Sequence, residues 1–197
     1  LQNKYNIYIN KIEPRKAYKL INSKLKKRPD NALYNFLMAD YYLRVKDSKG
    51  LQYLEKSVKC PEGEIYNFDL ASVYLQLGKK EEFISSSLNG FSCPSIPFQV
   101  KFNKLINSNK NSFINSEDGQ KFYTQVFDTL VSQYPDEEQL FSLYSEYSTS
   151  LNNIDKSISL YEQLLLSHDI SPESWHDFLE AVFDFIACSF YFVVFVV

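Results

Sequence analysis

Glycine is scarce in this chain, five in 197 residues, which argues against a fold built on many tight reversals. Sheet sandwiches and barrels lean on glycine to reach positive φ in their turns. Helices joined by short loops need far less of it. Positive charge is not in excess either: 21 Lys and Arg stand against 24 Asp and Glu, with a net charge of −3. A nucleic-acid binder carries a basic stripe that displaces counterions from phosphates. RNA reading by helical repeats of similar length is therefore set aside. The one basic cluster, Lys24, Lys26, Lys27 and Arg28, falls near a predicted helix C-terminus, where cations complement the dipole and stay solvated.

Residues that carry chemistry are sparse too. Cys60, Cys93 and Cys188 are odd in number and widely spaced, so they form neither a disulfide framework nor a metal-ligand pair. Buried thiols are expected, and they leave the compartment open. The two histidines, His168 and His176, are separated by a predicted loop and make no helical metal pair. The chain holds no Gly-x-Ser-x-Gly elbow and no Gly-rich phosphate loop. Ser85-Ser86-Ser87 is expected to be a polar helix face. Glu81-Glu82 and Glu137-Glu138 stand at predicted helix starts, where anions offset the dipole. No catalytic residue, metal or cofactor is assigned, and the chain is expected not to be an enzyme.

A regular punctuation is what the sequence does contain. Prolines at 29, 61, 94, 135 and 172 are separated by 32, 33, 41 and 37 residues. Each stands near the end of an apolar helical stretch, which proline cannot continue. Between them, Leu33–Val45 is an apolar run too long for a strand, and Leu51, Leu54 and Val58 follow at helical spacing. Ile65–Leu77 repeats the first pattern, Gly78 stops it, and Lys79–Leu88 supplies a partner helix. A spacing near 34 is that of a two-helix unit.

These residues resemble the tetratricopeptide repeat. Leu70-Ala71 stand where that motif has Leu-Gly, Tyr74 at its central aromatic and Gly78 at its turn. Ala17-Tyr18-Lys19-Leu20 through Arg28-Pro29-Asp30-Asn31 resembles its second helix and terminal proline. Gly50 and Ser157 take the small helix-crossing position, and Trp175 the opening tryptophan. The likeness covers most of residues 12–182. It departs at Phe83, where a small residue is expected, so a wider crossing or a local shift follows. It departs also over 95–134, which a polar loop from Asn107 to Ser116 stretches. The Tyr134-Pro135-Asp136-Glu137 junction and the Tyr144 to Ser157 hairpin look most like envelope-associated repeat proteins of Bacteroidetes-type bacteria.

The resemblance implies an all-α, right-handed solenoid of about five stacked antiparallel hairpins. It forms one domain over 1–187, with repeats at about 1–29, 30–61, 62–94, 95–135 and 136–170 and a partial one at 171–187. Such hairpins hide one another's apolar faces, and the 15 Tyr and 16 Phe are expected to serve that packing. In the resembled family the first helix of each repeat lines a groove that holds a peptide or a partner helix. The matching positions here are Phe68, Ser72, Leu75 and Gln76, then Ser142, Glu146, Thr149 and Ser150. Phe36, Asp40, Leu43 and Arg44 match within a one-residue ambiguity. The lining is mixed polar and aromatic without a lysine and arginine cluster, so a clamp for an acidic C-terminus is not expected. The implied role is a protein-interaction scaffold, with a protein or peptide partner and no nucleic acid, in envelope assembly or secretion. The alternative is an accessory or regulatory segment of a larger enzyme. The resemblance to envelope proteins implies the periplasm or outer membrane, and without it the cytoplasm.

The start at Leu1, without methionine, suggests a processed or trimmed product. The last stretch, Phe183 to Val197, carries one charge and is shorter than the roughly 20 apolar residues of a membrane span, so an anchor within the chain is not expected. It is read as an incomplete or faulty end over 188–197. The start of a longer apolar element and a buried terminal helix are the other readings. Left exposed, it is an aggregation hazard.

Overall fold

The computed structural model describes residues 1–10, 13–108 and 116–167, together with the separate positions His176, Leu179 and Phe183. Trp175, His168, Cys188 and the apolar tail lie outside the described residues. Everything regular that is described is helical: α1 (Gln2–Asn10), α2 (Pro14–Leu25), α3 (Ala32–Arg44), α4 (Lys49–Lys59), a 3-10 turn at Gly63–Tyr66, α5 (Asn67–Gln76), α6 (Lys80–Ser92), α7 (Phe98–Ser108), α8 (Glu117–Gln133), α9 (Glu138–Ser150) and α10 (Ile154–Ser167). None of the described helices is long and apolar enough to cross a membrane. The chain divides into two compact units, Leu1–Ser108 and Asn109–Val197.

Local chemistry sets the helix ends. Pro14 opens α2, where its missing N–H costs nothing. Asn31 caps α3 by accepting from the Tyr34 N–H at 3.0 Å, and Ser116 caps α8 by accepting from Gly119 at 3.1 Å. Glu81 and Glu82 lie in the first turn of α6, as the dipole favours. Three first helices end in the same way. After α3, the Lys46 N–H donates to the Leu43 carbonyl and Asp47 to Tyr42. After α5, Gly78 donates to Leu75 and Lys79 to Tyr74. After α9, Asn152 donates to Thr149 and Asn153 to Ser148. The reversing residue is left-handed each time, with φ of 58° at Lys46, 68° at Gly78 and 57° at Asn152. One closing turn, used three times, is the backbone signature of the repeat.

Within the N-terminal unit the core passes from hairpin to hairpin. Tyr5, Ala17, Ile21, Leu37 and Met38 bury one another between α1, α2 and α3. Ala39, Leu54, Leu70 and Tyr74 do the same between α3, α4 and α5. Neither hairpin hides its apolar side alone, which is why such hairpins stack. Two buried asparagines fasten the entry to successive first helices. Asn35 donates to the Pro29 and Asn31 carbonyls at 2.8 and 2.9 Å, and Asn67 to the Glu64 carbonyl at 2.8 Å. Tyrosine hydroxyls pin neighbouring helices: Tyr5 to Asp40 at 2.6 Å and Tyr74 to Glu55 at 2.8 Å.

The small positions behave as their size dictates. A Cβ at Gly50 would meet the Leu43 side chain at 2.7 Å, so α4 crosses α3 closely there. Phe83 instead packs half-buried against the Ala39, Leu54, Leu70 and Tyr74 core. The close approach of α6 moves along to Ser86, Ser87 and Gly90, all buried, and a Cβ at Gly90 would lie 2.8 Å from the Phe68 ring. That corrects the expected polar face at Ser85-Ser86-Ser87, of which Ser85 alone is exposed. Cys60 and Cys93 are buried free thiols.

In the C-terminal unit, α8, α9 and α10 bury Phe122, Val126, Phe127, Leu140, Tyr144 and Leu160. Phe127 stacks on Tyr144 with ring centroids 4.5 Å apart. The Ser145 and Ser157 hydroxyls hydrogen-bond each other where α9 crosses α10, both fully buried, as small crossing residues permit.

Candidate functional site

The residues named as groove lining fall into two sets, one in each unit. In the N-terminal unit, α3 and α5 lie side by side, and the rings of Phe36 and Tyr66 stack at 4.2 Å, 10° from parallel. Phe36 and Asp40 are four apart on α3 and share a face, while Tyr66 ends the 3-10 turn and Asp69 lies in the first turn of α5. Leu43 and Leu75 occupy the same step near the ends of the two helices, 37% and 49% exposed. Ser72 and Gln76 are exposed beside Leu75.

The two carboxylates differ in how they are satisfied. Asp40 accepts from the Tyr5 hydroxyl and takes both oxygens to the Arg44 Nε, at 2.8 and 3.0 Å. Burial raises the Tyr5 hydroxyl above its usual range, and the Asp40 hydrogen bond and charge add to that. Arg44, exposed, is thus spent within its own helix. Asp69 makes no such bond. Its carboxyl is pushed up by burial, against the pull of the Lys104 charge and of a backbone hydrogen bond, with a further push from Asp40. Yet Asp69 is exposed to solvent. Lys104, from α7, lies 5.8 Å from the Phe68 ring at the same place.

Phe68 is taken out of the lining. It is 8% exposed, packs edge-on against Phe91 at 4.9 Å and fills the gap that Gly90 leaves. Its contribution is to hold α5 on α6. The residues that the sequence reading missed are Tyr66, Asp69 and Lys104. Lys104 gave no signal, because it arrives from a helix in the stretched repeat.

In the C-terminal unit the α9 set is mostly committed internally. The Thr149 hydroxyl donates to Ser157 at 3.1 Å and Ser150 to the Tyr147 carbonyl at 2.7 Å, while Ser142 is half-buried and Glu146 exposed. A shallow depression runs along α8 beside Leu151. Its charged groups are already paired, Lys121 with Glu117 at 2.6 Å and Asp128 with Lys156 at 3.2 Å. Among the described residues no His, Cys, Asp and Glu gather in a metal-binding group.

No protein-family model matches the chain. No curated protein matches it either. Solved structures do share its architecture. PilW, described as a widely conserved type IV pilus biogenesis factor, is similar over 94% of this chain and 88% of its own, with a TM-score of 0.50 and 14% identity. MamA is similar over 82% and 92%, at 0.49 and 13%. The TPR domain of P58(IPK) is similar over 92% and 54%, at 0.43 and 14%. At these identities the likeness concerns the fold: an all-α helical repeat of the tetratricopeptide kind.

Proposed function

We propose that the chain is a protein-interaction scaffold whose α3 and α5 face holds a peptide or partner helix. The observation that carries this is the pair Leu43 and Leu75, aliphatic side chains 37% and 49% exposed at matching steps of α3 and α5. Apolar side chains repeated at one register and rimmed by polar groups suit a partner segment better than water. No constellation of nucleophile, base and oxyanion donor competes with that reading among the described residues. The setting we propose is bacterial envelope assembly or secretion, supported by the resemblance of the repeat junctions to envelope-associated proteins.

A photo-crosslinking residue placed at Leu75 tests the face against one placed at the exposed Gln52 on α4. The expected result is a discrete adduct at position 75 and none at 52, in cells that make the full chain. The same adducts at both positions, or none at 75, would refute it.

A further inference from the structure

The net charge of −3 conceals a separation. The N-terminal unit, Leu1–Ser108, holds 18 Lys and Arg against 10 Asp and Glu, a surplus of eight positive charges. The C-terminal unit, Asn109–Val197, holds 3 against 14, a surplus of eleven negative charges. Opposite surpluses of this size act on association rather than on the fold.

The structure gathers part of the positive surplus at one edge. Lys24, Lys26, Lys27 and Arg28 stand at the end of α2, and Lys56 and Lys59 at the end of α4. The two segments meet there. The Lys56 Nζ lies 3.7 Å from the Asp30 carboxylate, while Asn35 donates to the Pro29 carbonyl at 2.8 Å and reaches the Cys60 Sγ at 3.6 Å. All six cations are exposed. Within 24–30 and 56–62 the carboxylates are Asp30, which Lys56 engages, and Glu62. A helix dipole favours cations at each end taken alone, but two ends brought together leave like charges that repel until an acidic surface covers them. The C-terminal unit carries such a surface. Its α9 and α10 hairpin, clasped by the Ser145 and Ser157 hydroxyls, exposes Glu146, Asp155 and Glu162. Asp155 and Glu162 are seven apart on α10 and so share a face. Lys156, the one Lys or Arg between 138 and 167, is engaged with Asp128 at 3.2 Å.

We infer that the basic edge of the N-terminal unit docks the acidic C-terminal unit of a second copy of this chain. The patch of Lys24 to Arg28 with Lys56 and Lys59 meets the carboxylates of α9 and α10. Patch and complement stand on different units, so the copies pair head to tail. A nucleic acid could engage the patch through its phosphates, but the negative surplus of the same chain opposes it.

Sedimentation velocity of the full chain over a concentration series provides the test, before and after nuclease treatment. Association is expected at roughly 20 mM salt and should weaken about tenfold or more at about 0.5 M, where screening is strong. Lys26→Glu with Lys27→Glu and Lys59→Glu should leave a monomer at low salt, and so should Glu146→Lys with Asp155→Lys and Glu162→Lys. Mixed in equal amounts, the two reversed chains should associate again, because each supplies the charge that the other has lost. Glutamine at the same six positions, which puts no wrong-signed charge at a helix end, should weaken association in the same direction. A wild-type chain that stays monomeric at low salt, or associates equally at both salts, overturns the inference. Reversed chains that melt like the wild type yet stay apart when mixed overturn it too. Association that disappears on nuclease treatment overturns it in favour of a nucleic acid.

Discussion

The left-handed residue that closes α3 is a lysine, where the same turn after α5 uses a glycine, and this difference is measurable. Lys46 and Gly78 have φ of 58° and 68° and the same pair of closing hydrogen bonds. A side chain in that conformation crowds the following carbonyl and costs about 1–2 kcal/mol. Glycine escapes the clash but gives up roughly 0.5–1 kcal/mol to the freedom of the unfolded chain. The balance favours glycine by about 0.5–1 kcal/mol. Lys46 also lacks an ion pair that its loss would forfeit, being exposed with neither a salt bridge nor a side-chain hydrogen bond. Lys46→Gly should therefore stabilise the chain. Gly78→Ala should cost about 1 kcal/mol, and for conformation alone, because nothing lies within 4 Å of the added Cβ. Thermal unfolding followed by far-UV circular dichroism should show shifts of about 2–4 °C per kcal/mol for a chain of this size, upward for Lys46→Gly and downward for Gly78→Ala. A lower melting temperature for Lys46→Gly, or no change for Gly78→Ala, would refute the equivalence of the two turns.

Three further outcomes follow from the packing. Phe68→Ala should cost about 3–5 kcal/mol in urea titration, as for a buried aromatic, whereas the exposed Leu75→Ser should stay within about 0.5 kcal/mol; equal effects would return Phe68 to the surface. Gly63→Ala should yield little folded protein, since its Cβ would lie 1.8 Å from the Ser57 carbonyl oxygen; normal expression and melting would contradict that close approach. Burial, with the Glu55 hydrogen bond and charge adding to it, pushes the Tyr74 hydroxyl from 10.0 up to about 12. The neutral tyrosine is favoured by the fold, so its contribution is complete below pH 10 and is lost as pH rises toward 12. Tyr74→Phe should cost about 1 kcal/mol at neutral pH and should flatten the stability profile over that alkaline range, which denaturation at stepped pH would show.

What the sequence disclosed and what it hid divide along a physical line. Periodic features were legible because they act through the backbone: the prolines that end second helices, Gly78 at its turn, and Gly50 and Ser157 at crossings. The same turn was hidden at Lys46, because lysine gives no sign of a left-handed conformation that costs it energy, and was passed over at Asn152, although asparagine is among the residues that adopt it most readily. Asn35 and Asn67 were hidden for a related reason. They stand where the repeat motif opens with tryptophan, and here an amide that reaches back to the preceding junction replaces a large ring. Phe83 announced a departure, but its resolution did not follow from the motif. The crossing slid to Ser86, Ser87 and Gly90, and the space left at Gly90 drew Phe68 inward. A residue that a first-helix pattern assigns to the surface was thus buried by a glycine on the next helix.

The α3 and α5 face shows the converse. Asp69 lies one residue from a position that the motif marks for binding, yet the state of its carboxyl depends on burial and on Lys104, which comes from α7. Register says which helix face is available. The chemistry of that face is decided where neighbouring repeats depart from the pattern, since a residue that fits the pattern is consumed by packing.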